Sequence, residues 1–352
     1  FQWQIDYNRE ESMNILITGG AGFIGSNLIK YLLKKYDYFI INLDALTYAG
    51  NLDNLNVIHG HPRYYFVHGD ICDRDLLEDL FTKFEINTVI NVAAESHVDR
   101  SINDPETFLK TNVLGTQSLL DASKKHWNTD SSNKRSRKYQ EGVKFIQIST
   151  DEVYGTLGDQ GYFTETTNLA PNSPYSASKA AADMMVRAYY ETYGLPINIT
   201  RCSNNYGPYQ NTEKLIPSIV TRALDDQTLS VYGDGKHVRD WLYVEDHCTA
   251  IDLVLHKGKV GEVYNIGGNN EMENLDLVNQ ILRYLGKDER LIRFVPDRLG
   301  HDRRYAIDHS KISSQLGWYP SYSFKDGLKS TIDWYLANED WIANAKKRNV
   351  IC

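Results

Sequence analysis

The apolar run Asn14–Thr18 (NILIT) leads directly into Gly19-Gly20-Ala21-Gly22-Phe23-Ile24-Gly25, and apolar residues then recur at Ile24, Leu28 and Leu32. This pattern encodes a short strand, a turn with glycine at every third position and an amphipathic helix. Few architectures accept that order. Without side chains at Gly19, Gly22 and Gly25 the chain can turn tightly and bring a helix N-terminus against a pyrophosphate. Asp44 ends the next apolar run, Tyr38–Asp44. It lies about 20 residues beyond the turn, the interval at which a carboxylate meets ribose hydroxyls. A carboxylate there repels a 2′-phosphate, so NAD is expected rather than NADP. Asp70 and Ile71, after the run Tyr64–Asp70, are placed to meet adenine; for Asp70, capping the following helix is the alternative.

The alternation continues along the chain. Thr88–Ala93, Val143–Ser149 and Pro196–Arg201 read as strands, and Asp73–Phe84, Pro105–Lys125 and Pro174–Tyr193 as helices. Strands buried on both faces and separated by helices predict an α/β fold with a Rossmann-type doubly wound parallel sheet. We assign residues 13–201 to an NAD-binding domain. Residues 202–352 are mainly a smaller C-terminal substrate-binding lobe, with some segments returning to the first domain. Helices are expected there at Lys214–Leu224, Asn274–Leu285 and Phe324–Asn338. A length of 352 residues agrees with about two domains. Residues 1–12, polar and preceding Met13, read as an extension or remnant outside the fold. Asn128–Gly142, basic and without periodicity, reads as a surface insertion whose cations are solvated.

The formal net charge of −8 gives no general affinity for nucleic acid or an anionic membrane, so an anionic substrate must be held by a few local cations. Cys72, Cys202, Cys248 and Cys352 show no metal or pairing pattern, and reduced thiols are expected. No metal site is expected, and His97 and His301 have no metal-ligand company. No apolar run approaches the ~20 residues of a membrane span, and no signal peptide is visible. A cytoplasmic protein is the expectation.

Ser173-Pro174 supplies a cap and an N1 proline for a helix that carries Tyr175 and Lys179 on one face. A tyrosine must lose about three pKa units, near 4 kcal/mol, to act as a base at neutral pH. The ammonium one turn away, the helix N-terminus and a positive nicotinamide ring all favour the phenolate. Ser149-Thr150, ending the preceding strand, can hold a substrate oxygen beside it.

This glycine turn with its Ser/Thr and Tyr-Lys set resembles the extended short-chain dehydrogenase/reductase family from Met13 to about Tyr335. The resemblance implies tyrosine-assisted hydride transfer between a sugar hydroxyl and tightly bound, recycled NAD. Two adjacent acids, Asp151 and Glu152, follow the catalytic threonine. Such a pair is costly near a buried site unless it performs chemistry. Thr150-Asp151-Glu152 resembles the branch of the family that dehydrates dTDP-glucose. That likeness implies Tyr175 as base at the 4-hydroxyl, Glu152 as base at carbon 5 and Asp151 as acid toward the 6-hydroxyl.

The same likeness carries further roles. Ala93, Ala94, Ser96 and His97 would line nicotinamide and sugar. Thr47, Thr111, Ser149 and Asn205, with Phe23, Ile24, Tyr175 and Lys179, would complete the cofactor contacts. Asn112 would support the hydroxyl network, a helix-bending polar residue being its alternative. Asn204 would meet the sugar. Lys214, Leu215, Pro217, Tyr232, Arg239 and Asn274 would hold the nucleoside diphosphate, with Thr150 nearer the sugar and His301 and Tyr305 from a late loop. For Arg239, an ion pair with Asp240 is the alternative. Leu299 stands where the family usually has proline. Homodimers pairing through Pro105–Lys125 and Pro174–Tyr193 are also implied, with Ala181, Ala182 and Met185 allowing close approach. Another sugar-nucleotide dehydratase or a 4-epimerase is the nearest rival, and an NAD-binding sensor without catalysis is the rival from a different class.

Overall fold

The computed structural model describes residues 13–133 and 135–351. Residues 1–12, Lys134 and Cys352 lie outside that range, and with them the expected N-terminal extension.

In chain order the elements are β1 (Asn14–Thr18), α1 (Phe23–Lys35), β2 (Phe39–Asp44), β3 (Tyr64–His68), α2 (Arg74–Phe84), β4 (Thr88–Asn91), α3 (Val98–Asn103) and α4 (Pro105–Phe108). After a π-helical stretch, Leu109–Gly115, come α5 (Thr116–Trp127), β5 (Lys144–Thr150), α6 (Pro174–Tyr193), β6 (Ile197–Cys202), β7 (Asn204–Tyr206), α7 (Leu215–Leu224) and β8 (Leu229–Tyr232). The remainder is β9 (Val238–Tyr243), α8 (Val244–Lys257), β10 (Val263–Ile266), β11 (Glu271–Glu273), α9 (Asn274–Leu285), β12 (Ile292–Val295), α10 (Ser310–Leu316), α11 (Phe324–Ala337) and α12 (Glu339–Ile351).

Seven strands form one parallel sheet in the order β10-β6-β5-β4-β1-β2-β3. The chain reverses direction across the sheet between β1 and β4, so a crevice opens beyond their carboxyl ends. Helices cover both faces, and the strands are correspondingly apolar: Ile15, Leu16, Ile17, Ile40, Ile41, Val89 and Ile90 are fully buried. The seventh strand, β10, comes from beyond residue 201, so the later half of the chain completes the nucleotide-binding sheet. The smaller lobe is built from α7, α9 and α11, packed on the short sheets β11-β9-β7 and β12-β8 around Trp241, Leu277, Ile281 and Tyr335.

The helix expected over Pro105–Lys125 is interrupted. Its middle is widened into a π turn, a form that clusters at functional sites. The widened turn carries Asn112, whose side chain is fully engaged. Its Oδ1 accepts from the Glu95 amide, and its Nδ2 donates to the Glu95 carbonyl and the Ser178 hydroxyl. The segment 128–142 is largely exposed and irregular, and it is docked on the end of α6 by Arg137 to the Tyr190 carbonyl and Tyr139 to the Tyr193 carbonyl. Among the described residues no helix is long and apolar enough to cross a membrane.

Candidate active site

The glycine turn owes its shape to close approach. A Cβ on Gly19, whose φ is +68°, would stand 2.7 Å from Ala93 backbone at the end of β4, and one on Gly25 would stand 2.3 Å from the Gly19 carbonyl oxygen. Gly22 caps α1 without any side-chain acceptor, which leaves the first-turn amides for an anion. Asp44 accepts from the Ala21 amide at 2.8 Å and the Leu46 amide at 2.7 Å. Its burial raises its pKa, against the pull of those two donors.

A cleft of about 300 Å³ runs from Asp44 past the turn to Tyr175. It is lined by every residue expected to contact the cofactor: Gly19, Gly22, Phe23, Ile24, Gly25, Asp44, Thr47, Asp70, Ile71, Ala93, Ala94, Ser96, Thr111, Ser149, Tyr175, Lys179 and Asn205. The uncapped helix end and the Asp44 carboxylate lining the cleft suit NAD. Asp70 does not cap α2. Asp73 does so, accepting from the Leu76 amide, while Asp70 accepts from the Cys72 amide.

Ser173 caps α6 through the Ser176 amide at 3.1 Å and places Tyr175 in the first turn. Lys179 is buried one turn on, but its ammonium donates to the Ile148 carbonyl at 2.7 Å and not to the phenol. Burial, with Glu152 next, pushes the Tyr175 phenol well above its ordinary range. Lys179 thus makes no hydrogen bond that would lower it.

Beyond Glu152 a second cleft of about 360 Å³ opens toward the smaller lobe. Of the expected substrate contacts, Ser96, His97, Asn204, Lys214, Leu215, Tyr232, Arg239, Asn274, His301 and Tyr305 line it. Two do not. Pro217 is buried within α7 and lines neither cleft. Thr150 faces the cofactor cleft instead. Its hydroxyl donates to Asp151 and accepts from the Glu152 amide, both at 3.3 Å.

Glu152 lines both clefts. Its carboxylate accepts from the Ser176 hydroxyl at 3.3 Å, and burial raises its pKa against the opposing pull of Arg239 and Lys214. Asp151 lies behind it, 1% exposed and outside either lining, with Oδ2 lacking any partner. Burial, then Glu152 and Asp240, holds its carboxyl well above the usual range. One adjacent acid is thus buried behind another that faces the reacting space.

The cationic side chains lining this cleft are Lys214, Arg222, Arg239 and Arg298. Arg239 does not pair with Asp240, which accepts instead from the Gly268 and Asn270 amides. The Arg239 guanidinium lies 4.3 Å over the Tyr305 ring and donates to the Asp302 carbonyl. Arg298 grips Asp99 through two bonds of 2.6 and 2.9 Å. The Oδ1 atoms of Asn204 and Asn274 are buried without partners beside this cleft, as groups awaiting a ligand would be. Sequence reasoning missed Glu213, which lines the sugar cleft 3.3 Å from Arg100, and Tyr48, Gln210 and Asn211 in the cofactor cleft. An acid directly before Lys214 was a usable signal for Glu213. The others sit on loops with no local signature.

A doubly wound sheet with an NAD-shaped cleft, a Tyr-Lys helix and a contiguous sugar-sized cleft defines a nucleotide-sugar enzyme of the extended short-chain dehydrogenase/reductase class. Residues 16–331 match the family described as GDP-mannose 4,6 dehydratase. The chain is 52% identical over 336 residues, 93% of this chain and 94% of the relative, to the dTDP-glucose 4,6-dehydratase of Xanthomonas campestris pv. campestris. The crystal structure of the Bacillus anthracis dTDP-glucose 4,6-dehydratase in complex with NAD superposes with a TM-score of 0.85 at 53% identity, covering 95% of this chain and all of that one. The Streptomyces venezuelae dTDP-glucose 4,6-dehydratase gives 0.88 at 47% identity, with the same coverage. The chain belongs to the dTDP-glucose 4,6-dehydratase family.

Proposed function

We infer that this protein is an NAD-dependent lyase that converts dTDP-glucose to dTDP-4-keto-6-deoxyglucose and water. NAD takes two electrons from carbon 4 of the sugar and returns them to carbon 6 at the end of the cycle. The chain's own residues move the protons. Tyr175 removes the proton of the 4-hydroxyl, and the resulting ketone acidifies carbon 5. Glu152 takes the carbon 5 proton while Asp151 delivers one to the departing 6-hydroxyl, and Glu152 returns a proton to carbon 5 as hydride reaches carbon 6. Buried neighbouring carboxyls with unequal surroundings hold such opposite protonation states. Thr150 keeps Asp151 oriented through their hydrogen bond.

The observation that carries this reading is the position of Glu152 at the junction of the two clefts, with the buried Asp151 directly behind it. A 4-epimerase needs neither acid, and a sensor needs neither Tyr175 nor Lys179 in the cleft. Incubation with dTDP-glucose should release a 4-keto-6-deoxy sugar, detected by mass loss of one water, with UDP-glucose turned over far more slowly. Formation of the 4-epimer in place of that product would overturn the assignment.

The nucleoside diphosphate belongs with Lys214, Arg239, Tyr232 and Asn274, and the sugar with Ser96, His97, Asn204 and Glu152. A homodimer is part of this proposal. Leu109 and Leu114 on the π turn and Met184 on α6 are 52%, 53% and 42% exposed, an apolar face on the two expected pairing elements. Met184 takes the place expected for Ala182 and Met185. Ala182 is fully buried against the protein's own interior, and Met185 packs on the apolar cluster beside the sheet. Reduced buried Cys202 and Cys248 and the absence of a spanning helix among the described residues accord with a cytoplasmic location.

A further inference from the structure

Helix α12 follows the last residue matched by the family, 331, yet through Trp341 it reaches back to Asn54, on the segment after β2. Trp341, 8% exposed, packs within the aromatic group of the smaller lobe beside Trp334, at a centroid distance of 5.1 Å, and Tyr335. Its indole Nε1 donates to Asn54 Oδ1 at 2.8 Å. Asn54, 2% exposed, passes the connection on: its Nδ2 donates at 2.9 Å to the carbonyl of Ala21 inside the glycine turn. The Asn51 amide donates to that same carbonyl at 3.0 Å. In the preceding peptide unit the Ala21 amide donates to Asp44 Oδ2. Hydrogen bonds thus link α12 through Asn54 to the Ala21 carbonyl, and the amide of the same residue links the turn to Asp44.

Neighbouring contacts hold the same segment. Asn54 also accepts from Lys30 through its carbonyl at 3.2 Å, and that ammonium lies 3.3 Å over the Tyr209 ring, which packs tilted against Trp334. None of Trp341, Asn54 or Lys30 lines either cleft, so none touches cofactor or sugar.

We propose that α12 is a clasp: Trp341, acting through Asn54, is a positioning residue that fixes the glycine turn and slows the release of NAD. Tight retention matters here because the cofactor is regenerated in place at every turnover. The proposal rests on the reading that this cleft holds NAD. Wild-type protein that bound none would defeat that reading first, separately from the clasp.

The test compares Trp341→Phe with Trp318→Phe. Each removes one indole donor from a buried tryptophan, but Trp318 donates to Thr249 Oγ1, away from both clefts. The readout is the rate at which prebound isotopically labelled NAD exchanges for unlabelled NAD in the full chain, with kcat at saturating NAD measured alongside. Trp341→Phe should speed exchange roughly three- to tenfold, the scale of one buried hydrogen bond, with kcat changed less than twofold. Trp318→Phe should leave exchange as in the wild type. Deleting residues 339–352 should speed exchange at least as much as Trp341→Phe. Unchanged exchange in Trp341→Phe, or an equal rise in both single variants, would overturn the clasp and leave Trp341 a packing residue only.

Discussion

Asp183 and Arg201 meet in the interior at 2.9 Å, with side chains 0% and 4% exposed, one on α6 two turns past Tyr175 and the other on β6. The guanidinium also donates to the Tyr154 hydroxyl at 3.0 Å, and that hydroxyl donates to Asn265 on β10. The catalytic helix, the turn that carries Asp151 and Glu152, and the last strand of the sheet are therefore joined by one buried polar network.

Removing one partner of this pair strands a charge without water. Asp183→Ala should cost about 3–5 kcal/mol of stability. Pairing it with Arg201→Met should recover much of that loss, because the double variant leaves no buried charge. Denaturant unfolding of the three proteins measures both effects. A loss below about 1 kcal/mol in the single variant would show that water reaches Arg201.

Asp151→Asn keeps the shape but cannot supply the proton for the departing hydroxyl. Oxidation at carbon 4 should persist while elimination slows by at least 100-fold, the typical scale of a general acid. Rapid quench and mass spectrometry should then find the dTDP-4-keto-glucose intermediate accumulating on the enzyme. If no intermediate built up and product formed at the normal rate, Asp151 would be excluded as the acid.

Much of this site was legible because its parts are local in sequence. The strand, glycine turn and helix at Asn14–Lys35, the cap at Ser173 and the Tyr175–Lys179 pair each depend on neighbours within a few residues. The boundaries of α9, Asn274–Leu285, also matched the periodicity. What could not be read depends on distant contacts. Lys179 donates to a carbonyl on β5, Pro217 faces the interior because α7 packs against α9, and β10 joins a sheet whose other strands all precede residue 203. The π turn at Asn112 reflects its bonds to Glu95 and Ser178, one of them 66 residues away. Helical periodicity carries no record of such partners.

Glu152 must be ionised to act as base, and its burial raises its pKa. The acid limb of kcat/KM should therefore fall above the ordinary glutamate value of about 4.3, with activity lost as pH drops through the raised value. Glu152→Gln should abolish that limb together with solvent deuterium incorporation at carbon 5 of the product. Undiminished incorporation in the variant would remove Glu152 from the role.

Asp252 on α8 ties that helix to α1. Its carboxylate, 3% exposed, accepts from Lys35 at 2.6 Å, Tyr31 at 2.8 Å and Tyr36 at 2.9 Å, with His256 Nδ1 also 2.9 Å away. Burial opposes the charge, but the bonds from His256, Lys35 and Tyr31 outweigh it and bring the group down to about 2. A carboxylate depressed on folding contributes stability that is complete above its unfolded value, near 4, and is lost as pH falls through the folded one. The half-exposed Lys35 moderates the effect, so Asp252→Asn should cost on the order of 2 kcal/mol at pH 6. The gap between wild type and variant should narrow between pH 4 and pH 3. Urea unfolding at those three pH values decides the point: an equal gap at each would mean that Asp252 acts through its shape and hydrogen bonds, without its charge.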